Sequence, residues 1–558
     1  MERGTRIAWC LVALSILIAS CWGSPPPGAD DQPALNDSRG WFRASCSMPL
    51  PHLVRTKRGL YENRGPDLTF IPRNGNTLGN FTGSSNHSGP WGFLQNIPLL
   101  FYGPGHVRSQ GSVQLDREVT LADVVPTAAR MLDTAPPRSS SGKPITEVST
   151  DNVAEPPRLV LFVVWDGAGW NVLERWPQAW PFLRKLMDDG TVIRNATVGS
   201  SPSITPAVHA TLGTGAFPDQ HGIVNIVQRD SQGRLAPALG GASTANLEVP
   251  TFADVYDRRL ANEPRIGLLS KADALHIGMV GHGASIPGGD RDIAAFEGST
   301  REALFRTNDT VNYSLPSYLQ RPRELDQVVR SIDAADGRAD GSWLGHPVLD
   351  DPSDVESLSG APVWTVYQTR AIESILEQEE FGEDEVPDLF FTNYKEIDYL
   401  GHRYTFVSQE VKQAIEYADR ELRRLTQFLD DKVGRRDWVM VMTADHGQTP
   451  PPQETGTWSI NVDNLRQAVD DAVGAKAVLH LKQNGLWLDE RQLERHDMTR
   501  GELSNWLLNY SINDNADGME IPGAYRQRLE EPIFDAAFPS RDLSRIIRCA
   551  QNREAGHP

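Results

Sequence analysis

Three apolar runs of this 558-residue chain each lead into carboxylate or imidazole side chains. In chain order these side chains are Asp166 after residues 159–165, Asp398 and His402 after residues 389–392, and Asp445 and His446 after residues 438–443. Oxygen and nitrogen ligands without thiolates suit zinc or a similar divalent ion in a catalytic site. One Asp-His pair would be weak evidence, but three such acids with two histidines predict a metal centre.

Thr205 is the candidate nucleophile. Pro206 suits the first position of a helix, which predicts that Thr205 is the N-cap of that helix. Capping alone would account for a threonine here. A helix N-terminus also offers free amides to a phosphate, and a metal beside the hydroxyl would lower its pKa. The segment therefore favours chemistry on a phosphate.

The apolar runs are the elements that must position these groups. Continuous apolar runs without alternation indicate buried parallel strands. Apolar residues spaced by three and four from Val411 to Leu429 predict a helix between two of them. Strands alternating with helices indicate an α/β sheet covered on both faces, with ligands beyond the carboxyl ends of the strands. The acids and histidines all fall at that edge.

Composition excludes several classes of protein. The chain carries 54 Lys and Arg against 73 Asp and Glu, a net charge of −19. This balance argues against a nucleic-acid-binding surface or a general affinity for anionic membranes. The length suits three or four domains, or one large elaborated domain. Attraction of a phosphate substrate would have to come from a local site.

The N-terminus predicts export. Arg3 and Arg6 precede an apolar run over residues 7–18 and small residues before Cys21, which is typical of a signal peptide over residues 1–21. Residues 18–21 also resemble a bacterial lipobox, in which Cys21 would be lipidated; an ordinary signal with an incidental cysteine is the alternative. A Pro-rich stretch places a tether over residues 22–45. We expect a cell-envelope lipoprotein or a secreted or periplasmic protein.

The rest of the chain divides by composition. A compact piece over residues 46–133 contains predicted strands at 67–71 and 98–102 and a predicted helix at 121–132. A Pro/Ser-rich linker follows over residues 134–157. Two stretches of catalytic core, 158–283 and 363–558, flank a polar, turn-rich region at 284–362 that we expect to be an inserted cap; the second stretch would include a smaller subdomain.

Five motifs carry a resemblance to a known family. They are Trp165-Asp166-Gly167, the segment from Thr205 to Gly215, Pro218 to Ile223, Asp398-x-x-x-His402 and Asp445-His446-Gly447. In this order they resemble the alkaline phosphatase superfamily, and within it the type I phosphodiesterase/nucleotide pyrophosphatase family, over most of residues 158–450. The resemblance implies a three-layer α/β sandwich with a mostly parallel central sheet and an inserted cap.

The same resemblance implies a mechanism on a small phosphate ester. Two divalent ions, with zinc expected, would be held by two sets of ligands. The first set is Asp166, Thr205, Asp445 and His446, and the second is Asp398, His402 and one further histidine. Thr205 would attack phosphorus and form a phospho-threonine, which water would release.

The further histidine predicts an unusual chain order. His557 lies at the family's usual distance after Asp445-His446-Gly447, but only Pro558 follows it. The family's closing pattern resembles instead residues 85–91, 97–105 and 120–127. We therefore predict a circular permutation with His87 as the seventh ligand; His557 is the alternative. Cys46 and Cys549 would then meet at the new ends, where they could form a disulfide.

The ester class rests on one position. Family members specialised for monoesters carry Lys-x-Arg after a strand, whereas this chain has Lys271 followed by Asp273. An acid there would repel a dianion, so we expect a phosphodiesterase, with a phosphomonoesterase or phosphonate hydrolase as alternatives on the same site. Asn225 is a candidate donor to a phosphoryl oxygen, or a turn residue. A catalytically inactive envelope lipoprotein is the non-enzyme alternative, which the retained ligand residues disfavour.

Overall fold

The computed structural model describes residues 40–79, 85–150, 155–271, 273–283, 291–300, 303–307, 310–320, 322–349, 360–482 and 485–556. The predicted signal peptide, the lipidation of Cys21 and the alternative ligand His557 lie outside these residues. The tether predicted over 22–45 extends too far, because the first helix already spans Gly40–Cys46. Its Trp41 and Phe42 are buried, which a solvated tether would not provide.

Ten of the described strands form one central sheet, and four form a second, antiparallel sheet. The strands are β1 (Leu68–Pro72), β2 (Thr77–Leu78), β3 (Leu99–Tyr102), β4 (Gly111–Val113), β5 (Val119–Thr120), β6 (Leu159–Trp165), β7 (Thr191–Ile193), β8 (Ala196–Thr197), β9 (Val227–Arg229), β10 (Leu235–Pro237), β11 (Ile266–Ser270), β12 (Asp292–Thr300), β13 (Ala303–Arg306), β14 (Tyr313–Ser314), β15 (Ser342–Trp343), β16 (His346–Pro347), β17 (Asp388–Tyr394), β18 (Trp438–Thr443), β19 (Ser459–Ile460), β20 (Val478–Lys482), β21 (Gly485–Leu488) and β22 (Phe534–Pro539).

Helices cover both faces of the central sheet, as a mostly parallel sheet requires. The helices are α1 (Gly40–Cys46), α2 (Leu50–Arg58), α3 (Gly92–Gln95), α4 (Val124–Met131), α5 (Trp170–Arg175), α6 (Pro181–Asp189), α7 (Thr205–Thr214), α8 (Pro218–His221), α9 (Phe252–Arg259), α10 (Asp273–His276), α11 (Pro322–Asp333), α12 (Val363–Gln378), α13 (Glu396–Tyr404), α14 (Gln409–Leu429), α15 (Pro452–Thr455), α16 (Val462–Val473), α17 (Glu490–Arg495), α18 (Arg500–Asn509), α19 (Ile512–Asn515) and α20 (Leu543–Glu554). Among the described residues, no helix has the length and apolar character that crossing a bilayer needs.

The central sheet confirms the predicted α/β fold. Its order is β13-β12-β11-β17-β6-β18-β3-β7-β4, with β14 beside β12. The five strands from β12 to β18 in this order are parallel to their neighbours. Strands β6 and β18 have the predicted bounds, β17 is longer than its apolar run, and α14 is the helix predicted from the Val411–Leu429 spacing. Every residue of β6, β17 and β18 is buried.

Residues 46–133 contribute strands to both main sheets. Strand β1 lies between β21 and β22 in the second sheet, and β3 lies between β18 and β7 in the central sheet. Both strands are fully buried, so the apolar residues that defined the predicted piece pack into two different cores. The helix predicted over 121–132 begins as a 3-10 turn at Leu121–Asp123 and continues as α4.

The region predicted as a cap contributes to the central sheet. Strand β12 pairs in parallel with β11, and β13 continues that edge in antiparallel fashion. Residues 293–296 are buried, which the polar composition around them concealed. The prediction of a cap over 284–362 therefore began too early, because its first strands belong to the core.

A covalent link joins the two ends of the described chain. Cys46 at the end of α1 is bonded to Cys549 in α20, across a sequence separation of 503 residues. Around the bond, Trp41, Phe42 and Ile546 belong to a small apolar cluster that packs α1 and α2 against α20.

Candidate metal centre

Three neighbouring strands bring the predicted acids to one edge of the sheet. Asp166 follows β6, Asp445 follows β18, and Asp398 lies in α13, which begins just after β17. Because β17, β6 and β18 are adjacent and parallel, their carboxyl ends meet at the same edge. All three carboxylates are at most 2% exposed, so they face each other in a site that water hardly reaches.

His87, Asp398 and His402 form the first group. Their potential ligand atoms all lie within 4.8 Å of one another. His402 Nε2 is 3.3 Å from Asp398 Oδ1, and the His87 and His402 rings lie 5.2 Å apart. Asp398 and His402 are one helical turn apart on α13, whereas His87 arrives from the segment before α3.

The second group consists of Asp166, Asp445 and His446, whose potential ligand atoms also lie within 4.8 Å of one another. His446 Nε2 lies 3.4 Å from Asp445 Oδ2 and 3.6 Å from Asp166 Oδ1. The two groups adjoin, because the His87 and His446 rings stack with their centroids 3.6 Å apart. Thr205, the first residue of α7, is 3% exposed, and Lys395 Nζ donates both to its hydroxyl and to Asp166 Oδ1.

The three imidazoles share one hydrogen-bonding pattern. Each directs Nδ1 at a backbone carbonyl oxygen: His87 at Ser203 (2.8 Å), His402 at Ser85 (2.8 Å) and His446 at Gly447 (3.0 Å). A carbonyl oxygen only accepts, so each Nδ1 carries a proton, and in the neutral ring Nε2 then has the free lone pair. Backbone support of this kind is what metal-ligating histidines have.

The buried polar atoms of the site fit divalent ions. Asp445 Oδ2 and His446 Nε2 are buried and make no hydrogen bond to any residue that the structure describes. Unpaired buried acceptors are costly, so a group that binds them is expected. Three carboxylates and three available Nε2 atoms, with no thiolate, form a donor set for zinc or a similar ion.

Burial and neighbouring charges lower the pKa of some of these groups and raise the pKa of others. Burial and the neighbouring His446 hold the pKa of His87 well below its ordinary value. Burial raises the pKa of Asp445 well above its ordinary value, and Asp166 adds to the shift. For His402 burial acts downward, but the Asp398 carboxylate outweighs it and the pKa is raised. A neutral His87 is the form that a metal ion requires.

Hydrogen bonds fix Asp166 and Thr205 relative to each other. Asn393 Nδ2 donates both to Asp166 Oδ2 (2.9 Å) and to His209 Nε2 (2.8 Å). His209 Nδ1 donates in turn to the backbone oxygen of Thr205 (2.7 Å). Asp166, His209 and His276 are grouped closely enough to ligate an ion, but the nitrogens of His209 are already engaged in these bonds.

Close packing explains two glycines in the motifs. Gly167 has φ of +71°, and a Cβ there would lie 2.9 Å from the Asp398 Cβ. A Cβ on Gly401 would lie 1.9 Å from Gln448 Oε1. Only glycine lets the turn after β6 and the helix α13 approach this closely.

Sequence reasoning missed Lys395, which lies in the middle of the site. Its Nζ donates to Asp166 Oδ1 (2.8 Å) and to the hydroxyl of Thr205 (3.2 Å), and lies 2.8 Å from Asp398 Oδ2. A lysine three residues before Asp398, within one helical turn of it, was the available signal. Lysine is usually a surface residue, so this spacing alone did not predict that Lys395 belongs to the site.

The other predicted site residues have different surroundings. Lys271, directly after β11, is buried, and its Nζ lies 4.6 Å from the Tyr399 ring centroid next to Asp398. Asn225 is buried, but its Oδ1 accepts from the backbone N–H of Ile226, and it lines a small cavity with Ser201. Among the described residues, no hydrogen bond joins the Asn225 side chain to either ligand group. The side chain of Asp273 lies outside the described part of the chain.

The predicted N-cap was wrong by one position. Helix α7 starts at Thr205 itself and Ile204 is its N-cap, so Pro206 occupies the second helical position. Pro206 still lies in the first turn of α7, where its missing N–H costs no hydrogen bond within the helix.

Comparison with known proteins places this chain in a family. The family model described as type I phosphodiesterase / nucleotide pyrophosphatase matches residues 160–518. The chain belongs to this family. His87 lies outside the matched residues.

Several relatives carry phosphatase names. Alkaline phosphatase PafA of Elizabethkingia meningoseptica is 23% identical over 336 residues, which cover 53% of this chain and 61% of the relative. Alkaline phosphatase PhoK of Sphingomonas sp is 24% identical over 355 residues, covering 58% and 61%. A protein of Myroides odoratus named calcium-transporting ATPase is 21% identical over 339 residues, covering 54% and 61%. The chain thus spans 61% of the length of these relatives.

A crystal structure of wild-type alkaline phosphatase PafA has the same fold. It superposes with a TM-score of 0.50 at 17% identity, covering 64% of this chain and 77% of that chain. A multiply substituted PafA variant gives a TM-score of 0.51 at 17% identity, covering 67% and 82%. At this identity the likeness supports the fold and not the substrate.

Proposed function

We propose that this protein is a metal-dependent hydrolase of phosphoric esters in which Thr205 is the nucleophile. The observation that carries the proposal is the pair of adjoining groups of carboxylates and imidazoles, to which Lys395 Nζ connects the Thr205 hydroxyl. Family membership supports the reaction class. It supports less for the substrate, since the chain spans only part of its relatives.

The residues divide between two proposed ions, with zinc as the expected metal. Asp166, Thr205, Asp445 and His446 would hold one ion, and His87, Asp398 and His402 the other. Two such ions, when bound, supply positive charge that lowers the pKa of a hydroxyl and offsets phosphate charge.

Thr205 carries out the bond-forming step in this proposal. Its Oγ loses its proton and forms a bond to phosphorus as the ester P–O bond breaks, and the leaving oxygen takes up a proton. Water then hydrolyses the phospho-threonine, which releases the phosphate and restores the hydroxyl of Thr205. The Asn393–His209 chain of hydrogen bonds holds the Thr205 backbone and Asp166 in one arrangement before substrate arrives. Pre-arranged groups of this kind lower the barrier by avoiding reorganisation.

We further propose that residues 46–133 are the family's closing segment placed first in the chain. Three observations support this circular permutation. His87 lies with Asp398 and His402, β3 lies inside the central sheet beside β18, and the bond between Cys46 and Cys549 joins the two ends of the described chain. Ends that meet at one place are what a permuted fold requires.

For the ester class, Lys271 favours a monoester. Its ammonium is buried, and among the described residues it has no hydrogen-bond partner. A buried cation of this kind needs an anion, and a monoester offers one more negative oxygen than a diester. The diester expectation rested on Asp273, whose side chain the structure does not describe. The phosphatase names of several relatives agree with the monoester proposal.

Substitution of the nucleophile tests the reaction. Thr205→Ala should abolish hydrolysis of an aryl phosphate by the zinc-loaded protein, because Ala lacks Oγ, while bound zinc remains detectable. Thr205→Ser should retain measurable turnover, and Thr455→Ala, at an exposed position, serves as the matched control. Full activity of the Thr205→Ala protein would move the nucleophile elsewhere.

Paired substrates test the ester class. The same protein should hydrolyse an aryl phosphate monoester faster than the matching diester, and Lys271→Ala should reduce monoester turnover more than diester turnover. A clear preference for the diester would overturn the Lys271 argument and leave the hydrolase proposal intact. Activity on neither ester with zinc bound would point to phosphonates.

A further inference from the structure

The ammonium of Lys395 contacts three side chains to which the proposed function assigns metal binding or catalysis. Its Nζ is 2.8 Å from Asp166 Oδ1, 2.8 Å from Asp398 Oδ2 and 3.2 Å from Thr205 Oγ. Asp166 belongs to one ligand group and Asp398 to the other. Lys395 therefore bridges the two groups where they adjoin.

Burial makes this contact strong. The Lys395 side chain is 12% exposed, and the two carboxylates that it joins are at most 2% exposed. Charges buried together are held tightly, because removing one partner leaves the other unpaired in a low-dielectric site.

A divalent ion and this ammonium compete for the same oxygens. Zinc binds carboxylate oxygens at about 2.0–2.2 Å. Asp166 and Thr205 would hold an ion in the proposed function, and the Lys395 ammonium contacts both side chains. A bound ion and the ammonium would repel each other there, because like charges at short separation in a buried site repel strongly.

We propose that Lys395 is a resident cation of the metal-free site, which keeps Asp166, Asp398 and Thr205 assembled and is exchanged for metal ions on loading. Lys395 is thus a residue that sets metal affinity. Because exchange removes one favourable contact for each one gained, the lysine weakens metal binding while it stabilises the protein before metal arrives. This inference rests on the metal centre of the proposed function.

Zinc affinity and metal-free stability test the exchange without measuring turnover. In the full chain, Lys395→Met should bind zinc on the order of a hundredfold more tightly in competition with a chelator, because its carboxylates lack a competing cation. The metal-free variant should melt at a lower temperature than the metal-free wild type, and zinc should remove that difference. Lys412→Met, which disrupts an exposed pair with Glu416, is the control and should change neither.

The outcomes separate the two proposals. Unchanged or weaker zinc binding by the Lys395→Met protein, with normal binding by the wild type, would overturn the exchange and leave the metal centre standing. A wild type that binds no zinc would overturn the metal centre itself. If the variant does not fold, a crystal structure of zinc-loaded wild type decides: Lys395 Nζ should lie beyond hydrogen-bonding distance of both Asp166 and Asp398, and an unmoved Nζ would refute the exchange.

Discussion

The disulfide between the chain ends should make a large contribution to stability. Cys46 and Cys549 have a sequence separation of 503, and the chain-entropy model for a loop of this length gives about 6 kcal/mol at 25 °C. This value is an upper limit, since unfolded chains are more compact than the model assumes. Native proteins are stable by only about 5–15 kcal/mol, so replacing both cysteines by serine should lower the midpoint of guanidinium unfolding strongly.

The folded state itself should tolerate the change. Trp41, Phe42 and Ile546 still pack α1 and α2 against α20 without the bond, so the native fold and zinc content should persist in the double serine variant. Reductant should lower the unfolding midpoint of the wild type to that of the variant and leave the variant unaffected. Equal midpoints for oxidised wild type and variant would refute the loop-entropy reasoning.

Two further predictions concern a buried acid and a proposed ligand. Burial, opposed by Arg424, raises the pKa of Glu421 to about 7, so the free energy of unfolding of the wild type falls as the pH rises from about 4.5 to 7. In denaturant unfolding, Glu421→Gln should be more stable than the wild type by roughly 2–3 kcal/mol at pH 8 and equally stable at pH 4. Glu416→Gln on the same helix should show no such difference. His87→Ala should retain one zinc equivalent by elemental analysis where the wild type should have two. His496→Ala, at an exposed position, should retain both. Two zinc equivalents in the His87→Ala protein would remove His87 from the proposed ligand set.

The centre of the fold was predictable because local and global signals agree there. The apolar runs at 159–165 and 438–443 are strands with those bounds, since every side chain in them is buried and alternation is not needed. Parallel strands place their carboxyl ends together, so the strand-end acids were expected to meet. Residues 293–296 were not predicted as a strand because their neighbours in sequence are polar, and their burial depends on pairing with β11.

Lys395 escaped for a different reason. A lysine beside an acidic residue is ordinarily a solvated pair, and its sequence neighbours Tyr394 and Glu396 give no sign of burial by a metal site. The ammonium is buried because Asp166 and Thr205, both distant in sequence, close over it in the folded chain. Only the tertiary arrangement brings this lysine into contact with Asp166 and Thr205.

The position of His87 shows what the site requires of the chain. Its Nδ1 donates to the backbone oxygen of Ser203, two residues before Thr205. The same bond that orients the proposed ligand therefore sets its position relative to the nucleophile. That geometry depends on where the segment packs and not on whether it comes first or last in the chain. A permuted order can thus supply the same ligand, provided that β3 packs beside β18 and the segment before it approaches Ser203, as both do here.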